Sequence, residues 1–83
     1  SDMVEQVILF YGLAKKLIYD LDNDQILHLR DNGFAYAQEH FPELVKELRE
    51  KKDLTEDIER QIEAFYTDYI KVLERTVQAK VEE

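Results

Sequence analysis

The chain has 83 residues, with 19 acidic side chains against 11 basic ones and a net charge of −8. That balance argues against nucleic acid and anionic lipid as direct partners, because neutralising phosphates takes clustered Lys and Arg. With no cysteine, neither a disulfide nor a thiolate metal site can support so short a chain, and its small core supplies a few kcal/mol at most.

Two glycines and one proline leave room for few turns, so the elements must be long. Val4, Val7, Ile8, Tyr11, Ala14, Leu17 and Ile18 recur at helical spacing and predict a first helix over 3–20. Phe10 and Leu13 add a second apolar stripe beside them. So wide an apolar surface belongs to a helix buried on more than one side, either a central bundle helix or one covered by a partner. Ahead of it, Ser1-Asp2-Met3 reads as a cloning remnant. No basic leader or small-residue cleavage site marks a signal peptide.

Asp22 predicts an N-cap, with Gln25 three residues on completing a capping box. A second helix follows over 23–40, with Ile26, Leu29, Gly33 and Ala37 on its core face. Gly33, in mid-helix, costs about 1 kcal/mol relative to Ala, and close helix packing is the expected reason. Phe41-Pro42 marks the next boundary, since a residue before proline avoids helical geometry. Leu44, Val45 and Leu48 give a short third helix over 42–52, with Lys51 and Lys52 at its C-terminal end. Asp53, paired with Glu56, or Thr55 caps a fourth helix over 55–79. Its stripe is Ile58, Ile62, Phe65, Tyr66, Tyr69, Ile70, Leu73 and Val77, and Glu56 with Arg60 makes a surface pair. Its last turns are expected to overhang the bundle, with 80–83 as a charged tail. The fold class is therefore all-α: a small antiparallel-type bundle of four helices forming one domain over 4–79.

Sites of chemistry are scarce. Glycines at positions 12 and 33 cannot build a phosphate loop, and no Ser-His-Asp arrangement is present. His28 and His40 stand twelve residues apart, which is not a ligand spacing, and read as boundary histidines. No residue is assigned to catalysis, to a cofactor or to a metal. The acidic run Asp20-Leu21-Asp22-Asn23-Asp24 is the sharpest local feature. It resembles the start of a calcium loop, but the sixth position is Gln25 where glycine makes the turn, and the twelfth is Asp31 where a bidentate Glu is needed. A helix–helix turn explains it better. Three carboxylates at one bend also repel one another, which a basic partner surface would relieve. Asp20, Asp22 and Asp24 are therefore the candidate partner contacts.

An ordered series of fragments resembles a known family. Val4-Glu5-Gln6-Val7 with Tyr11 opens it, and Tyr19-Asp20-Leu21 follows. Ile26, Phe34-Ala35-Tyr36 and Pro42-Glu43-Leu44 then fall in register, as do Leu48 to Thr55, Ile58-Glu59 and Ile62. The pattern is similar to the C-terminal helical domain of the alpha subunit of F-type ATP synthase. Departures are Leu29 where the family often has Phe, Gly33 where it has Leu, and a tail from Ile70 to Glu83 beyond the usual end. The resemblance implies a non-catalytic, structural part of the rotary head that makes ATP from ADP and phosphate using a proton gradient. It implies beta and gamma subunits as partners, and ATP with Mg held in an upstream domain of the parent subunit. It places the assembly peripherally on the cytoplasmic face of a bacterial inner membrane, with no membrane insertion by this segment. It also implies that the bend at Asp20 to Asp24 sits near the stalk or adjacent subunits, and that an upstream domain covers part of the first helix. The alternative is a stand-alone acidic helical protein-interaction module.

Overall fold

A computed structural model describes residues 2–51 and 53–82, with side chains described as far as Arg75. Four helices follow one another: α1 Met3–Ala14, α2 Asn23–His40, α3 Pro42–Lys51 and α4 Glu56–Glu82. No strand occurs among the described residues, so the all-α bundle stands as expected.

α1 starts where the sequence suggested a remnant. The Asp2 carboxylate accepts the Val4 amide at 2.8 Å as an N-cap, and its other oxygen accepts from Arg49 at 2.7 Å. The helix then stops at Ala14, six residues short of the expected Asp20. Lys16 adopts φ 59°, and the chain folds back on the helix end. Its N–H donates to Leu13 O at 3.1 Å, and Leu17 N–H donates to Gly12 O at 2.9 Å. These two bonds form a Schellman motif, which satisfies the last carbonyls and turns the chain out of the helix. Glycine usually occupies the left-handed position; a lysine there is strained by about 1 kcal/mol. Lys16→Gly should therefore raise stability by about 1 kcal/mol, read from the urea midpoint at unchanged slope. Residues 15–20 form a turn that returns Ile18 to the core.

The Asp22 capping box is present in both directions. Gln25 N–H donates to the Asp22 carboxylate at 2.8 Å, and the Gln25 side-chain oxygen accepts from Asp22 N–H at 3.0 Å. α2 ends at His40, where Phe41 takes φ −131° ahead of Pro42. Of the two caps considered for α4, Thr55 serves: its hydroxyl accepts from Ile58 N–H at 3.2 Å, whereas Asp53 bonds only to Leu54 N–H beside it. α4 runs three residues past the expected Ala79, to Glu82. Its 27 residues span about 40 Å at 1.5 Å each, and so set the molecule's 44 Å long dimension. Arg60 pairs with Asp57 at 3.7 Å rather than with Glu56. That pair is exposed and contributes little. Lys52 lies outside the described residues.

α4 is the spine against which α1, α2 and α3 all pack. Ile58, Ile62, Phe65, Tyr66, Tyr69 and Leu73 of α4 are buried, as the expected stripe requires. Phe65 is the hub. Its ring stacks on Tyr69 at 5.6 Å and meets Phe41 and Tyr66 edge-on at 6.0 and 5.0 Å. Gly33 is buried, but α4 does not force its glycine: a Cβ there would lie 3.7 Å from Phe65, and its tight neighbour, at 2.8 Å, is the end of Leu29 on its own helix. The demanding glycine is Gly12. A Cβ on it would lie within 3.0 Å of three Tyr66 atoms, so the Tyr66 ring of α4 lies directly on the bare backbone of α1.

Candidate interaction site

Two surfaces can meet a partner. The first is the acidic bend. Asp22 is engaged in capping α2, while Asp20 closes the preceding turn and Asp24 lies in the first turn of α2; all three are exposed. The structure thus separates one carboxylate that caps a helix from two that do not. Among the described residues no group of three or more His, Cys, Asp or Glu is placed to hold a metal ion. Asp24 is already helical, which removes the loop a calcium site of that type needs.

The second surface is the outer face of α1, which the bundle itself leaves uncovered. Val4, Ile8 and Tyr11 are buried in the bundle. Phe10 and Leu13, the second stripe, are instead open, Phe10 at 71%. With Met3, Val7 and Ala14 of α1 and Leu48 and Leu54 from the α3–α4 side, Phe10 lines a groove that Gln6, Tyr11, Lys15, Asp53 and Glu59 also border. Leu54 sits between helices, so periodicity could not assign it.

Tyrosine hydroxyls hold α1 in place beneath this groove. Tyr11 donates to Glu63 at 2.6 Å and lies 3.4 Å from Glu59. The Glu63 hydrogen bond first, then burial, then the negative charge of Glu63 and Glu59 raise the Tyr11 pKa well above its ordinary range. Tyr66 donates to Ile8 O at 2.6 Å, and burial raises its pKa as well. Tyr69, whose hydroxyl lies 2.6 Å from His28 Nδ1, is pushed up to about 12, by burial first and then by Tyr36. An unfolded tyrosine titrates near 10. Above that pH the unfolded state releases protons that the folded state retains, so stability present below pH 10 falls as the pH rises through about 12. Helical circular dichroism and phenolate absorbance should therefore change together over that interval.

Comparison with known proteins gives a consistent result. The family described as ATP synthase alpha/beta chain, C terminal domain, matches residues 1–69. ATP synthase subunit alpha of Clostridium acetobutylicum is 28% identical over 68 residues, which is 82% of this chain and 14% of that relative. No solved structure matches this sequence.

Proposed function

Because this protein belongs to the family of C-terminal domains of ATP synthase alpha and beta subunits, we propose that it is the C-terminal helical domain of an alpha-type subunit. In this reading it is a non-catalytic, structural part of the rotary head that makes ATP from ADP and phosphate using a proton gradient. The observation that carries the alpha assignment is the similarity to an alpha subunit over 82% of the sequence. Its two glycines, neither in a phosphate loop, fit a segment remote from the nucleotide. ATP and Mg belong, in this reading, to another domain of the parent subunit, and beta and gamma subunits are the partners. The parent complex is peripheral, on the cytoplasmic face of a bacterial inner membrane; among the described residues no helix is long and apolar enough to cross one. Asp20 and Asp24 are the contact carboxylates at the bend, and Asp22 keeps its shape.

The test is a chimera. This domain replaces the matched segment of the Clostridium acetobutylicum alpha subunit, and the product is co-purified with beta. Assembly is expected. Asp20→Ala with Asp24→Ala should weaken it at unchanged domain stability, whereas Asp22→Ala should cost about 1 kcal/mol of stability through the lost cap. A folded chimera that fails to bind beta overturns the alpha reading. The open α1 groove favours a second reading, a stand-alone acidic helical interaction module.

A further inference from the structure

Asn32 and Gly33 form the chain's one Asn-Gly pair, in the middle of α2. Nothing in the fold calls for a glycine at 33. Its φ is not positive, and a Cβ there would meet Phe65 of α4 at an ordinary 3.7 Å, its tight neighbour being the flexible end of Leu29. A glycine in mid-helix still weakens the helix. What it changes is chemical: with no side chain beside it, the Gly33 nitrogen is open to the Asn32 side chain that precedes it. We propose that Asn32 is a deamidation site gated by α2, closed while the helix is formed and reactive once it opens.

In the reaction the Gly33 nitrogen attacks Asn32 Cγ and the Cγ–Nδ2 bond breaks. The proton lost from the nitrogen leaves with Nδ2 as ammonia, and a five-membered succinimide remains. Water then adds to one of the two ring carbonyls, and the opened ring is aspartate or isoaspartate. The folded helix withholds both reacting groups. The Gly33 N–H is donated along the helix to the Leu29 carbonyl, and Asn32 Nδ2 donates to His28 O at 3.1 Å. Closing the ring also requires residue 32 to leave its helical backbone conformation. Asn32 itself is exposed, so water reaches it as soon as α2 opens.

The isoaspartyl product prevents reclosure. It routes the main chain through the side-chain carbon, which adds a methylene at residue 32. Amides beyond that point then miss their acceptors one turn back. Leu29 and Ala37, buried on either side of the site, cannot both return to the core. A molecule whose α2 has opened for long enough thus carries a permanent mark. The proposal does not rest on the family, so a chimera that fails to bind beta leaves it standing.

The test is incubation of the 83-residue protein at neutral pH, in buffer and in unfolding urea, with mass spectrometry of the peptides that contain residue 32. Asn32 should react at least about tenfold more slowly in buffer than in urea, with isoaspartate among the products. Phe65→Ala, which removes the ring packed against Tyr36 of α2, should bring the rate in buffer toward that in urea. Gly33→Ala should slow the reaction in urea several-fold, where folding plays no part. Asn23, followed by Asp24, should stay intact over the same period. The purified isoaspartyl product should show weakened helical circular dichroism, whereas Asn32→Asp, which adds the charge without the methylene, should keep its helix. Equal rates in buffer and urea overturn the proposal. An Asn32 that stays intact in urea, or an isoaspartyl product with native helicity, overturns it as well.

Discussion

Replacing Phe65 with alanine should remove most of the domain's stability. The ring is 1% exposed and lies against Tyr36 of α2, Phe41 at the α2–α3 boundary, and Tyr66 and Tyr69 of α4. Truncating a buried phenylalanine costs about 3–5 kcal/mol, through lost transfer energy and the cavity left behind. A core of this size supplies only about 3–5 kcal/mol in all. The variant should therefore unfold at low urea and show weakened helical circular dichroism even in buffer. Phe65→Leu fills most of the space and should retain much of the difference. Equal losses for both variants would point to a specific role for the aromatic pairs, each of which contributes about 0.5–1.5 kcal/mol beyond burial.

Gly12→Ala carries the second large effect, and a single methyl group causes it. The new Cβ would lie within 3.0 Å of three Tyr66 atoms. Tyr66 cannot retreat: it is 2% exposed, its hydroxyl is anchored to Ile8 O, and its ring meets Phe65. Overpacking of this kind costs about 1–3 kcal/mol, and here it should fall toward the upper end. The helix-propensity gain of about 1 kcal/mol only partly offsets it. Gly33→Ala is the internal comparison. Its tight neighbour is the flexible end of Leu29, so the propensity gain should leave stability unchanged or slightly raised. In the same urea titration Gly12→Ala should thus show a clear loss and Gly33→Ala none.

The sequence made the number, order and most boundaries of the helices legible, because caps are local. Asp22 with Gln25, and Phe41 with Pro42, each announce an end within four residues. The end of α1 was illegible for the opposite reason. Lys16 stands where glycine normally signals a left-handed stop, and Leu17 and Ile18 keep the apolar period running past it. The Gly12 contact was also hidden, since periodicity counts side chains and this contact depends on having none. The acidic bend was visible as charge, but only coordinates separate Asp22, which caps, from Asp20 and Asp24, which do not. Phe10 and Leu13 were visible as apolar positions. Whether such a stripe is covered depends on the other helices' placement, which no local pattern encodes.

The anchors of α1 all reach far along the sequence. Tyr66 to Ile8 spans 58 residues, Tyr11 to Glu63 spans 52, and Arg49 to Asp2 spans 47. α2, α3 and α4, by contrast, neighbour one another in order. During synthesis α1 precedes α2, α3 and α4, yet its buried row is only partly covered by α3 until the middle of α4 has been made. At about 5–20 residues per second, that leaves the most apolar helix waiting for several seconds. The earliest of these four helices is the last to be enclosed by them, and during that interval its buried row is open to chaperones and to neighbouring nascent polypeptides.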